Sequence, residues 1–204
     1  MRTRHGSTLK GVITLSLMVV NVVFWVPILL VVALAKLLIP LAAWRRWTSA
    51  LMIWIAQAWI SCNGAIFSLM GALQLEVEGV EGLDPRSWYL VLSNHQSWVD
   101  ILVLQKAFNR RIPFLKFFLK QQLIWVPFLG LAWWALDFPF MRRYSSAHLA
   151  RHPEDRGKDL EATRRACERF RLIPTSVMNF VEGTRFTPAK HAALKSPYRN
   201  LLPP

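Results

Sequence analysis

From Gly11 to Ala35 the chain runs without a charge and is almost wholly apolar, and this stretch limits what the protein can be. A helix of roughly 20 apolar residues crosses a bilayer, so the segment is long enough to span one. Pro27 stands near its middle, where a ring and a missing N–H favour a kink. Arg2, Arg4 and Lys10 precede it and Lys36, Arg45 and Arg46 follow. With cations at both ends, charge bias sets no orientation. A second uncharged stretch, Trp47 to Leu75, carries Gln57, Ser61, Asn63, Gly64, Ser68 and Gly71. It could span, lie in the interface, or return as half of a re-entrant hairpin. Ala33-Leu34-Ala35 has the small-x-small form of a signal cleavage site. The apolar run, however, is about twice the ~7–15 residues of such a signal, which favours retention as an anchor.

The rest of the composition fits a membrane protein with an anionic partner. The 204 residues suffice for one domain, two Cys cannot staple a scaffold, and 53% hydrophobic content excludes disorder. The formal charge of +13 is uneven: residues 1–100 are nearly balanced, and the excess of Lys and Arg lies in 101–204. Ten Trp agree with an interfacial protein and argue against a soluble nucleic-acid binder.

Beyond Leu75 the texture becomes that of an α/β domain. Leu73, Leu75 and Val77 alternate with polar residues, which predicts a strand, and Gly79 and Gly82 mark turns. Tyr89–Leu92 predicts a short buried strand ending at Ser93-Asn94-His95. Ser97-Trp-Val-Asp100 has the form of a capping box that opens a helix. Further strands are predicted over Ile112–Phe118, Asp137–Met141 and Thr175–Val181. Gly157–Leu172 reads as a helix with Leu160, Cys167 and Phe170 on its apolar face. Strands alternating with helices predict an α/β fold, a mixed sheet with flanking helices. It stands behind an N-terminal helical membrane anchor or re-entrant hairpin. The division falls at 1–72 and 73–204.

Two constellations could carry chemistry. In Asn94-His95-Gln-Ser-Trp-Val-Asp100, His and Asp five apart would lie about 140° apart on one helix at ~100° per residue. They meet only if His95 stands in the loop before the helix and Asp100 in its first turn. A His oriented by a carboxylate is a general base; the alternative is that Asp100 merely caps the helix. In Phe180-Val-Glu-Gly-Thr-Arg185, Gly183 permits a tight turn, Thr184 can donate, and Arg185 offers a fork for phosphate or carboxylate. The alternative there is a turn with a surface ion pair. His148 and His152 have the i,i+4 spacing of a helical metal pair but no evident third ligand, so no metal site is expected. Neither Cys62 nor Cys167 reads as a nucleophile.

Together, Asn94-His95-x4-Asp100 and the downstream Glu182-Gly183-Thr184-Arg185 resemble the glycerolipid acyltransferase family. The likeness is greatest to its 1-acylglycerol-3-phosphate and lysocardiolipin-type branches. Lys120-Gln-Gln-Leu-Ile-Trp-Val-Pro127-Phe-Leu-Gly130 is similar to the family's second motif, and Phe140-Met-Arg142 to its phosphate-binding end. Val181 replaces the usual Pro, and the family's fourth motif would lie beyond Pro204, so the chain reads as incomplete at its C-terminal end.

The resemblance implies an O-acyltransferase that moves a fatty acyl group from acyl-CoA or acyl carrier protein to the free hydroxyl (sn-2) of a lysophospholipid such as lysophosphatidic acid. His95 would be the base and Asp100 its orienting group. Arg142 and Arg185 would hold the acceptor phosphate, Glu182, Gly183 and Thr184 would shape that site, and Lys120 would assist. No cofactor is expected beyond the thioester co-substrate. The expected partners are the acceptor, the donor and membrane lipids, at the cytoplasmic face of a bacterial inner membrane. The rival readings are an inactive membrane-anchored interaction module and a hydrolase with His95 as nucleophile.

Overall fold

The computed structural model describes residues 3–71, 75–142, 144, 146–155, 157–170, 173–181 and 185–189. The uncharged N-terminal stretches form two long helices, α1 (Thr3–Leu38) and α2 (Ala42–Leu69), and α1 runs unbroken through Pro27. Both are long and apolar enough to cross a membrane. The short link between them folds α2 back along α1 as a hairpin. Polar side chains pin it: Asn21 donates to Asn63 Oδ1 at 2.8 Å and to the Trp59 carbonyl at 3.2 Å, and Trp44 Nε1 donates to the Ala35 carbonyl at 3.0 Å. Buried amides persist in apolar surroundings only when paired in this way. Val26, Leu29, Met52 and Ile55 close the hairpin's inner face, while Val12, Leu15, Val20, Val23 and Phe24 face outward.

The α/β part follows. β1 (Tyr89–Ser93), α3 (Val99–Phe108), β2 (Leu115–Phe117), β3 (Leu119–Lys120), α4 (Leu129–Ala135), β4 (Phe140–Met141), α5 (Ser146–Arg151), α6 (Lys158–Phe170) and β5 (Ser176–Phe180) come in that order. β5 lies between β1 and β2, with Tyr89 and Leu115 both level with Ser176, and β3 pairs with β4. Every described pair is parallel, as connections through helices require. The α/β expectation holds. One core joins hairpin and sheet, running from Val26, Leu29 and Met52 through Phe114, Phe117 and Ala132 to Met178.

The differences from expectation have local causes. Leu75–Val77 forms no strand, for among the described residues it has no ladder partner; Leu73 lies outside them. The strand expected over Asp137–Met141 shrinks to Phe140–Met141 because Asp137 adopts a φ of 57° and Pro139 has no N–H to donate. The strand expected over Ile112–Phe118 is confined to Leu115–Phe117. On α6, Leu160 and Cys167 are exposed and only Phe170 of the expected face is buried. The helix docks at its C-terminal end, where the Phe170 carbonyl accepts from Trp88 Nε1 at 2.8 Å and the ring lies under Lys116 Nζ.

Candidate functional site

The carboxyl ends of parallel strands are where open α/β sheets place ligands, and here β1 and β5 end side by side with Ser93 level with Phe180. The chain leaves β1 into Asn94–Ser97 and enters α3, so His95 stands in the loop and Asp100 in the first turn. Half of the capping box forms: Asp100 Oδ2 accepts from the Ser97 N–H at 2.8 Å, while Ser97 Oγ accepts from the Val99 N–H at 3.2 Å instead of from the Asp100 N–H. Asp100 Oδ2 also takes the Gln96 N–H at 2.7 Å and meets His95 Nδ1 at 3.0 Å. Asp100 therefore caps the helix and holds the imidazole at once; the two alternatives read from the sequence are one arrangement.

Electrostatics favour a charged Asp100. Burial pushes its carboxyl up, but hydrogen bonds from the Ser97 N–H, the His95 ring and the Gln96 N–H outweigh that and hold it below the ordinary carboxylate range. Its place at the N-terminus of α3 acts in the same direction. An ionised Asp100 accepts the Nδ1 proton of a neutral His95, which leaves the Nε2 lone pair free to take a proton from a bound hydroxyl. Burial restrains the pair: the side chains of His95 and Asp100 are 17% and 24% exposed.

The end of β5 completes this corner. The Phe180 ring stacks on the His95 ring with centroids 4.0 Å apart, and the Val181 N–H donates to the Ser93 carbonyl at 3.2 Å. The Phe186 N–H then donates to the His95 carbonyl at 2.7 Å. The two motifs are thus tied through backbone and ring. Arg185 is exposed, with its guanidinium 5.7 Å from the centre of the Trp98 ring, within cation–π range. Glu182, Gly183 and Thr184 lie outside the described residues. Lys120 and Arg142 form a second group: Lys120 pairs in register with Met141, so both cations stand exposed at the carboxyl end of the β3–β4 ladder. Between them in sequence, Gly130 packs so tightly that a Cβ would collide with the Ile124 carbonyl. This explains the Gly of the Pro127-x-x-Gly130 motif.

Phe180 and Trp98 were given no role by the sequence. Both sit inside the quoted motifs, but their places against His95 and Arg185 follow from strand register and loop path and carry no signal in the spacing. The His148/His152 pair is engaged elsewhere: His148 Nε2 meets Asp155 Oδ2 at 2.6 Å and His152 Nδ1 meets Glu154 Oε1 at 3.1 Å. A hydrogen bond from Lys158, helped by His148, draws the Asp155 carboxyl down to about 2.

Comparison with known proteins decides the family. Residues 74–201 match the family model described as Acyltransferase, a span that contains each of the motifs quoted above. The chain belongs to this family. A comparison with curated proteins gave no significant match. Among solved structures, this acyltransferase is similar in fold to the 1-acyl-sn-glycerophosphate (LPA) acyltransferase PlsC from Thermotoga maritima. The TM-score is 0.60 and the identity 19%, over 90% of this chain and 64% of that one. The chain thus spans about 64% of the length of that relative.

Proposed function

We propose that this acyltransferase transfers a fatty acyl group from a thioester, acyl-CoA or acyl carrier protein, to the free hydroxyl of a lysophospholipid of the lysophosphatidic acid type. The observation that carries the reading is the 3.0 Å contact between His95 Nδ1 and Asp100 Oδ2 at a strand end that also presents Arg185. The family and the name of the solved relative agree with it.

His95 Nε2 takes the hydroxyl proton as the acceptor oxygen attacks the thioester carbonyl. Asp100 holds the ring and stabilises the imidazolium. The carbon–sulfur bond then breaks, and the thiolate leaves with the proton that His95 returns. Because a thioester is already activated, the transfer needs neither a covalent enzyme intermediate nor a metal. Arg185, Arg142 and Lys120 bind the acceptor phosphate, the arginines through planar forks. The α1–α2 hairpin keeps the enzyme at the membrane where an insoluble acceptor resides, and we place the α/β part on the cytoplasmic side.

The test is an assay of the purified protein against a panel of lysophospholipids and a neutral monoacylglycerol with an acyl thioester, following thiol release and the diacyl product together. Product from phosphate-bearing acceptors with stoichiometric thiol supports the reading. Thiol release without an acyl product would make the protein a thioesterase, and no thiol release from any pair would remove the function.

A further inference from the structure

The segment between the two halves of the β3–β4 ladder has a surface that the reaction does not use. From Gln121 to Leu136 the sequence carries no charge. Trp125, Phe128, Leu131 and Trp134, three residues apart, are 84%, 61%, 55% and 52% exposed. The other side of the same segment is sealed, with Ala132 fully buried and Leu136 nearly so. A helix bordered by water presents charged or polar groups on its outer face. Here the outer face is aromatic and aliphatic, and contiguous apolar surface of this kind marks an interaction site.

Its neighbour identifies the occupant. α4 packs against α1, whose own outward residues Val20, Val23 and Phe24 are exposed and apolar. The outer face of α4 is thus held against a helix whose own outer face is apolar. Trp is enriched at the boundary between headgroups and hydrocarbon, and two of the four side chains are Trp.

We propose that this face of α4 and the turn before it contacts lipid directly and seats the α/β domain in the bilayer interface. The proposal rests on the membrane reading of α1 and α2.

The test places a fluorophore on single cysteines at 20, 131, 134 and 168 in the full chain, with Cys62 and Cys167 changed to Ser. The protein is reconstituted into phosphatidylcholine–phosphatidylglycerol vesicles. Quenching by aqueous iodide is compared with quenching by nitroxide-labelled lipid, and circular dichroism confirms the fold of each variant. Positions 131 and 134 are expected to be shielded from iodide and quenched by lipid, as position 20 on α1 is, while position 168, exposed on α6, behaves in the opposite way. Iodide quenching at 131 and 134 equal to that at 168, with position 20 in lipid, overturns the proposal and leaves the membrane reading standing. Shielding from both quenchers also overturns it, because a protein surface then covers the face. Iodide access at position 20 overturns the membrane reading and this proposal with it.

Discussion

The ring of Phe180 lies flat on the ring of His95, their centroids 4.0 Å apart and their planes 18° from parallel. Asp100 fixes one ring nitrogen and Phe180 fixes the ring plane, so the imidazole is held along two directions. Phe180 does not need to touch substrate to matter to the proposed transfer; it holds the His95 ring in place. Phe180→Ala is expected to lower kcat with little change in the KM of either substrate, and Phe180→Tyr to restore most of the loss. A purely structural role would instead lower the thermal midpoint and leave kcat per folded molecule intact, which melting curves beside the kinetics distinguish.

Asp100 carries a pH-dependent share of stability. Its carboxyl is held below the ordinary range, so the stabilisation is present above the unfolded-state value, about 3.9 for an Asp. It is lost as pH falls through the lower folded-state value. Melting temperature against pH should show an acid limb that is diminished in Asp100→Asn. Asp100→Ala also removes a helix cap and is expected to cost about 0.5–2 kcal/mol at neutral pH. An unchanged acid limb in Asp100→Asn would mean that other carboxylates control it.

The phosphate assignment separates binding from chemistry. Replacing Arg185 or Arg142 by Ala should raise the KM for a phosphate-bearing acceptor and leave that for the thioester nearly unchanged. A charge-assisted hydrogen bond contributes about 1.5–3 kcal/mol, which corresponds to roughly 10–150-fold in binding. Arg185→Lys should recover only part, because an ammonium is not a planar fork. Equal losses with a neutral monoacylglycerol would make these arginines structural.

Gly130 tests the packing of the second motif. A Cβ there meets the Ile124 carbonyl, which is backbone and cannot swing aside. Gly130→Ala is expected to destabilise by about 1–3 kcal/mol, the usual range for overpacking. Denaturation with a midpoint equal to that of the parent would contradict the tight approach.

The legible parts of this molecule were those with a local grammar. Ser97-x-x-Asp100 is written in the rules for starting a helix; those rules left open whether Asp100 only caps or also holds His95, and the loop path before α3 brings the two to 3.0 Å. The two long apolar helices were legible because uncharged stretches of that length have few alternatives, while the fold-back of the second on the first was one of three courses left open. Leu160 was misread because a helical period says which residues share a face and nothing about whether another element covers it. Phe180 and Trp98 went unassigned because the stacking of one ring on another depends on strand register and loop path, which no spacing encodes. The clash at Gly130 likewise depends on how the chain folds back on Ile124.

In the proposed transfer His95 is the base, and everything else at the site serves it. The direct measurement is a turnover assay of purified His95→Ala with thioester and lysophospholipid at saturating concentrations, beside circular dichroism and membrane recovery for the same preparation. Turnover is expected to fall by about 10²–10⁴-fold, the usual contribution of a general base, in a protein that is folded and membrane-bound. Near-normal turnover in that folded variant would contradict it.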